Sequence, residues 1–336
     1  MNNVVFITRL NKSTGFGNYT RQKSLLFLFR KQKYRTFMLY EGIDARLADR
    51  DIPLIPYTEI PKDYLLVLDL PPGRELSAVE RSVVEKSRHA FWIIDDSSED
   101  NLLQPQINSL LEAGSVINVS FRVFDYKLSQ KYFKSVAVNY HEGRNLLILK
   151  DSYNDSLSYI LKEKVQNVLI CMGGSDPYMI SEQVVQFLKN YRRELRFTLV
   201  LGPGVDNERY EALKNVEIAY PIEIKKNVVD MARFLVQFDI AIINGGVLRF
   251  ELGYFGIPFV SIPFNDRQKQ ISLQLEKWGI GICLDKSRVL TEQNFITSLD
   301  SIIGSYNQRY VMHAKMKSLI KNRGVETIIQ IIKNEI

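Results

Sequence analysis

A chain of 336 residues is too long for one ordinary hydrophobic core and suits two domains of about 150 residues each. Its 46% apolar and 24% charged residues exclude extended disorder, and no apolar run reaches the roughly 18 residues that cross a bilayer. The net charge of +6 is uneven: the first 40 residues hold eight Lys or Arg and no acid, a field that favours anionic partners or peripheral contact with an anionic inner membrane face, or else a plain solvated helix face.

The opening residues enter an apolar strand without a basic-then-apolar leader, so a cytosolic protein is expected. Strand 4–7, helix 21–31, strands 36–39 and 64–68, helix 77–86 and strands 90–94 and 115–119 are predicted first. The pattern loosens over 136–164, and the domain boundary is placed there, at about residue 150. Strand 168–171, helix 180–191, strand 197–201, helix 207–214, strand 216–219 and helix 228–237 follow. Strand 240–243, helix 249–255, strand 258–262, helix 266–277, strand 281–284 and helix 291–301 complete the second domain, 151–304. Residues 305–336 read as helix returning to the first domain, 1–150. This alternation calls for parallel sheets covered by helices, with ligands outside the carboxyl ends of the strands.

Three strand ends carry glycine loops. After strand 240–243, Asn244-Gly245-Gly246-Val247 runs straight into a helix, leaving backbone N–H groups where phosphate is readily held. Glu251, five residues past Gly246, is placed to accept from both hydroxyls of a ribose. The plain alternative is a turn that only packs a helix on a sheet. Strand 168–171 opens onto Gly173-Gly174-Ser175-Asp176-Pro177, a second backbone cradle, in which Ser175 is equally a simple turn residue. In the first domain Gly15 and Gly17 permit close backbone approach ahead of Thr20 and Arg21 in the first helical turn, although neither a complete GxGxxG nor a Walker loop is present.

Asp95 and Asp96 follow strand 90–94, where they serve either as a base or sugar-orienting pair or as helix caps. Asp49-Arg50-Asp51 matches a metal pattern by letter only. His89, His141 and His313 are scattered and give no nucleophile–base set, and Cys171 and Cys283 lie in apolar runs without CxxC spacing, as small core residues do. No motif points to nucleic acid.

In their order, GFGNYTR near the start, WIIDD before residue 100, NLLILKDSY at the junction, MGGSDP, and then INGGVLRFELGYFGIPFVSIPFNDRQ resemble the nucleotide-sugar hydrolase of pseudaminic acid biosynthesis. The same motifs are similar to its spore-coat polysaccharide relatives and, more distantly, to the MurG-like glycosyltransferases. The resemblance covers most of the chain. It implies an α/β fold of GT-B type, two facing Rossmann-like domains with parallel sheets and an interdomain cleft. The second domain would hold a nucleotide-sugar donor, UDP-linked by preference, and the first would present an acceptor or water, with no metal or other cofactor required.

Matched position by position, Gly173, Gly174 and Ser175 fall on the first loop of the second domain and Gly245 and Gly246 on the diphosphate loop. Glu251 then falls on the ribose residue and Gln268 on the polar residue after the Pro263-Phe264 strand end. Two departures stand out. Val247 and Leu248 replace the family's Ser-Thr, removing side-chain bonds to phosphate. Asn18 replaces a histidine, so the position orients a group but has no useful basicity. Asp95 or Asp96 as the base, or the donor phosphate itself in a retaining transfer, are the routes left open.

The leading reading is a metal-independent glycosyltransferase of surface-glycan synthesis with an anionic or lipid-linked acceptor. A hydrolase of a UDP-linked amino sugar and a non-catalytic nucleotide-sugar-binding protein are the alternatives.

Overall fold

The computed structural model describes residues 2–11, 16–70, 76–94, 114–119, 139–189, 191, 194–217, 222–284 and 290–336. The chain divides into two compact units, Met1–Lys150 with Asn322–Ile336, and Asp151–Lys321.

The first unit runs β1 (Asn3–Thr8), α1 (Gly17–Lys31), β2 (Arg35–Leu39), β3 (Leu54–Ile55), β4 (Leu65–Asp69), α2 (Ala78–Lys86), β5 (His89–Ile94), β6 (Ser115–Asn118) and β7 (Asn139–Glu142). Its sheet has the order β3-β2-β1-β4-β5-β6-β7, and every described pairing is parallel, as in Asn3 opposite Arg35 and Val4 opposite Leu65. Strand pleat sorts its core into two layers. Val4, Phe6, Leu65 and Val67 face a cluster with Leu25, Leu26 and Phe29 of α1, while Val5, Ile7, Leu66 and Leu68 face Val83 and Val84 of α2. Burial on both faces is why these strands read as unbroken apolar runs.

The second unit runs β8 (Asn167–Cys171), α3 (Ile180–Leu188), β9 (Arg196–Leu201), α4 (Asn207–Glu217), β10 (Ile222–Lys226), α5 (Met231–Leu235) and β11 (Ile240–Ile243). It continues through α6 (Leu248–Phe255), β12 (Phe259–Ser261), α7 (Asp266–Lys277), β13 (Ile282–Cys283), α8 (Glu292–Gly304) and α9 (Tyr306–Leu319). Its parallel sheet has the order β10-β9-β8-β11-β12-β13. Numbered within the unit this is 3-2-1-4-5-6, the doubly wound order whose direction reverses between the first and fourth strands. Both sheets therefore have a switch point, between β1 and β4 and between β8 and β11.

Some elements differ from the sequence expectation. Of the strand expected over 216–219, Val216 and Glu217 are helical within α4 and the rest lies outside the described residues; a strand not expected runs Ile222–Lys226. Ile222 and Ile224 point inward while Glu223 and Lys225 face outward, the alternation of an edge strand covered on one face, and its charges hid it. The short β3 and the polar edge strand β7 were not expected at all. Helix α5 is shorter than 228–237 because the Asp230 carboxylate accepts from the Arg233 N–H and sets the start.

The return to the first unit comes later than residue 305. Helix α9 stays with the second unit through Arg309, 1% exposed, which donates to the carbonyls of Ile302, Ile303, Lys162 and Glu163 at 2.6–3.2 Å. Only α10 (Val325–Asn334) packs with the first unit, through Val325, Ile328, Ile329 and Ile332 at helical spacing. Gly324 precedes it at φ +71°, where an added Cβ would lie 2.3 Å from the Leu147 carbonyl oxygen. At the far end Glu335 meets His141 and accepts from Ser115, whose hydroxyl is 2.9 Å from His89 Nε2. Two of the three scattered histidines thus belong to the tether of the last helix.

Candidate functional site

In the second unit the β8 and β11 loops meet at the switch point. Gly173 turns at φ +84° so tightly against Asn244 that a Cβ would lie 2.8 Å from its Nδ2. Asn244 Oδ1 in turn accepts from the Gly246 N–H at 3.1 Å. A Cβ on Gly245 would lie 2.6 Å from the Cβ of Gln268, and Gln268 Oε1 accepts from the Phe264 N–H at 2.9 Å. Gly173, Gly245, Gly246 and Gln268, far apart in the chain, are therefore neighbours at the carboxyl ends of β8, β11 and β12.

One expectation is refined, since the Gly246 N–H is already engaged by Asn244 and does not point freely into a cradle. The helix begins at Leu248, and Val247 at its N-cap offers no side-chain acceptor. In its first turn the Arg249 and Phe250 N–H groups donate to the Gly246 and Val247 carbonyls at 3.4 and 2.9 Å, and the turn carries the positive end of the helix dipole.

The loops are braced from behind. The Gly174 carbonyl accepts from the Gly204 N–H at 2.8 Å, and Gly202 packs so closely on Gly174 that a Cβ would lie 2.4 Å from its Cα. The Ser175 and Asp176 carbonyls accept from Arg209, at 3.4 and 3.0 Å. The buried Asp176 carboxylate accepts from the Ile180 and Ser181 N–H groups, each at 3.0 Å, and pairs with Arg209.

Under the other loop lies Arg249, 5% exposed, whose Nη1 donates to the carbonyls of Gly245 at 2.5 Å and Gly246 at 2.6 Å. Its guanidinium stacks over Phe250 at 4.1 Å. With the glycine carbonyls drawn inward, the loop has a fixed orientation. Sequence reading passed over Arg249, because a basic residue inside an apolar helix resembles a surface position until its burial is known.

Glu251 is half-buried, one turn into α6, and faces Tyr153. Burial pushes the Cys171 thiol up to about 11, with the Glu251 and Asp176 carboxylates adding to the effect, so the sulfur stays protonated and inert. Both cysteines are free and buried.

In the first unit Asn18 and Arg21 converge on Asp69, at the end of β4, which is 1% exposed. Asn18 Nδ2 donates to Asp69 at 2.5 Å, and Arg21 donates through Nε at 2.8 Å and Nη2 at 2.9 Å. Arg21, expected with Gly15 and Gly17 to contact substrate from the first helical turn, is a buried ion-pair partner of Asp69. Gly17 is the first residue of α1. Gly15, Asp95 and Asp96 lie outside the described residues. Arg9 pairs with Glu80 and Lys23 with Asp49, so at least three of the N-terminal basic residues are matched by acids from beyond residue 40. That tempers the anionic-partner reading of the charge count.

A cavity of about 670 Å³ opens at the amino ends of β8, β9 and β10, lined by Asn167, Arg196, Thr198, Glu223, Lys225 and Phe234. It is at the end of the sheet opposite the glycine loops, where folds of this type do not bind their ligands. Among the described residues no cluster of His, Cys, Asp or Glu could hold a metal ion, and no helix is long and apolar enough to cross a membrane.

No family model matches the chain. It is similar to the uncharacterized protein MJ1062 of Methanocaldococcus jannaschii, 30% identical over 149 residues, covering 42% of this chain and 31% of that protein. It is also similar to the spore coat polysaccharide biosynthesis protein SpsG of Bacillus subtilis, 22% identical over 196 residues, 58% of each chain. The match thus spans under two thirds of either relative.

Solved structures match over nearly the whole length. MurG of Acinetobacter baumannii superimposes with a TM-score of 0.65 at 14% identity, covering 99% of this chain and all (100%) of that one. The spinosyn rhamnosyltransferase SpnG, complexed with thymidine diphosphate, gives 0.64 at 11% identity, covering 98% and 100%. Medicago truncatula UGT71G1, complexed with UDP-glucose, gives 0.60 at 13%, covering 99% and 98%. The fold is that of the GT-B glycosyltransferases, two α/β units each built on a parallel sheet.

Proposed function

We propose that the protein is a glycosyltransferase that uses a nucleotide-diphospho-sugar donor, UDP-linked by preference, in the synthesis of a surface polysaccharide. The observation that carries this reading is the meeting of the Gly173 and Asn244–Gly246 loops at the β8/β11 switch point, with Glu251 one turn into the helix that follows. The likeness to SpsG supports the polysaccharide setting, and the nucleotide complexes of SpnG and UGT71G1 support the donor class.

In this reading the Gly245-Gly246 turn and the positive end of the α6 dipole receive the diphosphate, and Glu251 accepts from the ribose hydroxyls. An acceptor oxygen attacks the anomeric carbon as the bond to the diphosphate breaks, and its proton passes to Asp95 or Asp96 as base or, in a retaining transfer, to the departing diphosphate. The charge developing on the leaving group is met by fixed backbone dipoles, which need no reorganisation, rather than by a bound cation. Asn18, held by Asp69, is an amide with hydrogen-bonding capacity but no useful basicity, so it is not the base. The acceptor is an anionic or lipid-linked glycan, reached at the membrane surface, and no further cofactor takes part.

The test is release of nucleoside diphosphate from a panel of nucleotide sugars, with and without a polyprenyl-diphosphate glycan acceptor and with and without EDTA. Acceptor-dependent, EDTA-resistant release is expected. Release in water alone would assign a hydrolase, and binding without turnover a carrier. Glu251→Ala is expected to raise the donor KM about tenfold, the worth of a hydrogen bond to a charged group. An unchanged KM would remove Glu251 from the site.

A further inference from the structure

Tyr153 stands three residues past Lys150, where the first long segment of the first unit ends, and is wholly buried. Its ring lies edge-on to Tyr254, with centroids 6.2 Å apart, and against Phe255 at 5.6 Å, both on α6. Two residues later Asp155 accepts from the Tyr254 hydroxyl at 3.1 Å. The opening segment of the second unit is thereby strapped along the helix that starts at the Gly245-Gly246 loop and carries Glu251.

The Tyr153 hydroxyl is buried without a well-formed hydrogen bond, an arrangement folded proteins rarely tolerate without a use. Burial, and next the facing Glu251 carboxylate, hold this phenol well above its ordinary pKa. It is therefore an O–H donor throughout the neutral range, with Glu251 as the acceptor it faces.

We propose that Tyr153 is a positioning residue for Glu251: with nucleotide bound, its hydroxyl donates to one carboxylate oxygen and leaves the other to accept from the ribose hydroxyls. This rests on the donor reading above and narrows it to ribonucleoside diphosphates. A carboxylate fixed in this way loses a partner when the 2′-hydroxyl is missing, and a site built around a hydrogen bond discriminates strongly against the analogue that lacks it.

The test is calorimetric titration with UDP and with 2′-deoxyuridine diphosphate. The intact protein is expected to favour UDP by about tenfold or more. Tyr153→Phe, which keeps the ring packing, is expected to bring the two affinities within about twofold, as is Glu251→Gln, and the double variant should lose nothing further, as for two residues acting as one unit. Tyr254→Phe loosens the strap at Asp155 but leaves the Tyr153 hydroxyl, and should keep the preference. A Tyr153→Phe protein with the original preference overturns the proposal, and so does an equal loss in Tyr254→Phe, which would assign the effect to packing. UDP bound no better than its deoxy form by the intact protein overturns the ribose contact and this proposal, and leaves the donor reading standing. Failure to bind either nucleotide overturns the donor reading and this proposal with it.

Discussion

Arg249→Met is expected to weaken nucleoside diphosphate binding by at least about thirtyfold and to lower stability by about 2–4 kcal/mol, since hydrogen bonds to charged groups contribute roughly 1.5–3 kcal/mol each. The guanidinium is buried, stacks on Phe250 and bridges the carbonyls of Gly245 and Gly246. Methionine fills much of the volume but offers no donor, so both carbonyls must turn outward for water, and the peptide units that orient the loop turn with them. Arg249→Lys should fall between, because an ammonium keeps the charge but cannot reproduce the planar bridge. Urea denaturation reads the stability and calorimetry the binding. An Arg249→Met protein that keeps full affinity would mean that the β11 loop does not cradle the diphosphate.

The largest stability effect is expected at Arg309. Arg309→Met should cost about 3–5 kcal/mol, in the range measured when a buried charged partner is removed from groups that depend on it. Four carbonyls, from the end of α8 and from residues 162 and 163, converge on this one side chain. With 1% exposure, no water replaces it without opening the packing around Ile302 and Met312. The loss is to be read from the urea midpoint. A change under about 1 kcal/mol would mean that the carbonyls find other partners and that α9 is held by its apolar face alone.

The sequence patterns that carried the fold were those with one physical origin. Strands buried on both faces, such as Val4 to Ile7 and Ile240 to Ile243, are apolar throughout because helices cover both sides, and they were legible at once. Edge strands were not: Ile222–Lys226 carries charges outward and Asn139–Glu142 is polar throughout, and such segments read as loop or helix. Within the candidate site the glycines were legible, because close approach of backbone leaves few other residues possible; the spacings at Gly173, Gly245 and Gly246 show how little room a Cβ would have.

The residues that reading missed act through burial and long-range pairing, which spacing does not encode. Asp69 ends an apolar strand 48 positions from Arg21 and claims it. Arg249 acts on its own loop from inside the helix, and Tyr153 reaches Glu251 across 98 positions of sequence. For the same reason the basic N-terminal run looked more available to outside partners than it is, its acids being supplied by Asp49, Asp69 and Glu80.

The central claim, a nucleoside diphosphate site at the β8/β11 switch point, is tested most directly by titrating the intact protein with UDP, CDP and GDP in a calorimeter. Saturable binding with a preference for UDP, weakened in Arg249→Met and in Glu251→Ala, is the predicted result. Heat indistinguishable from dilution for all three nucleotides would contradict it, and would leave the two glycine loops as turns that pack α3 and α6 against the sheet.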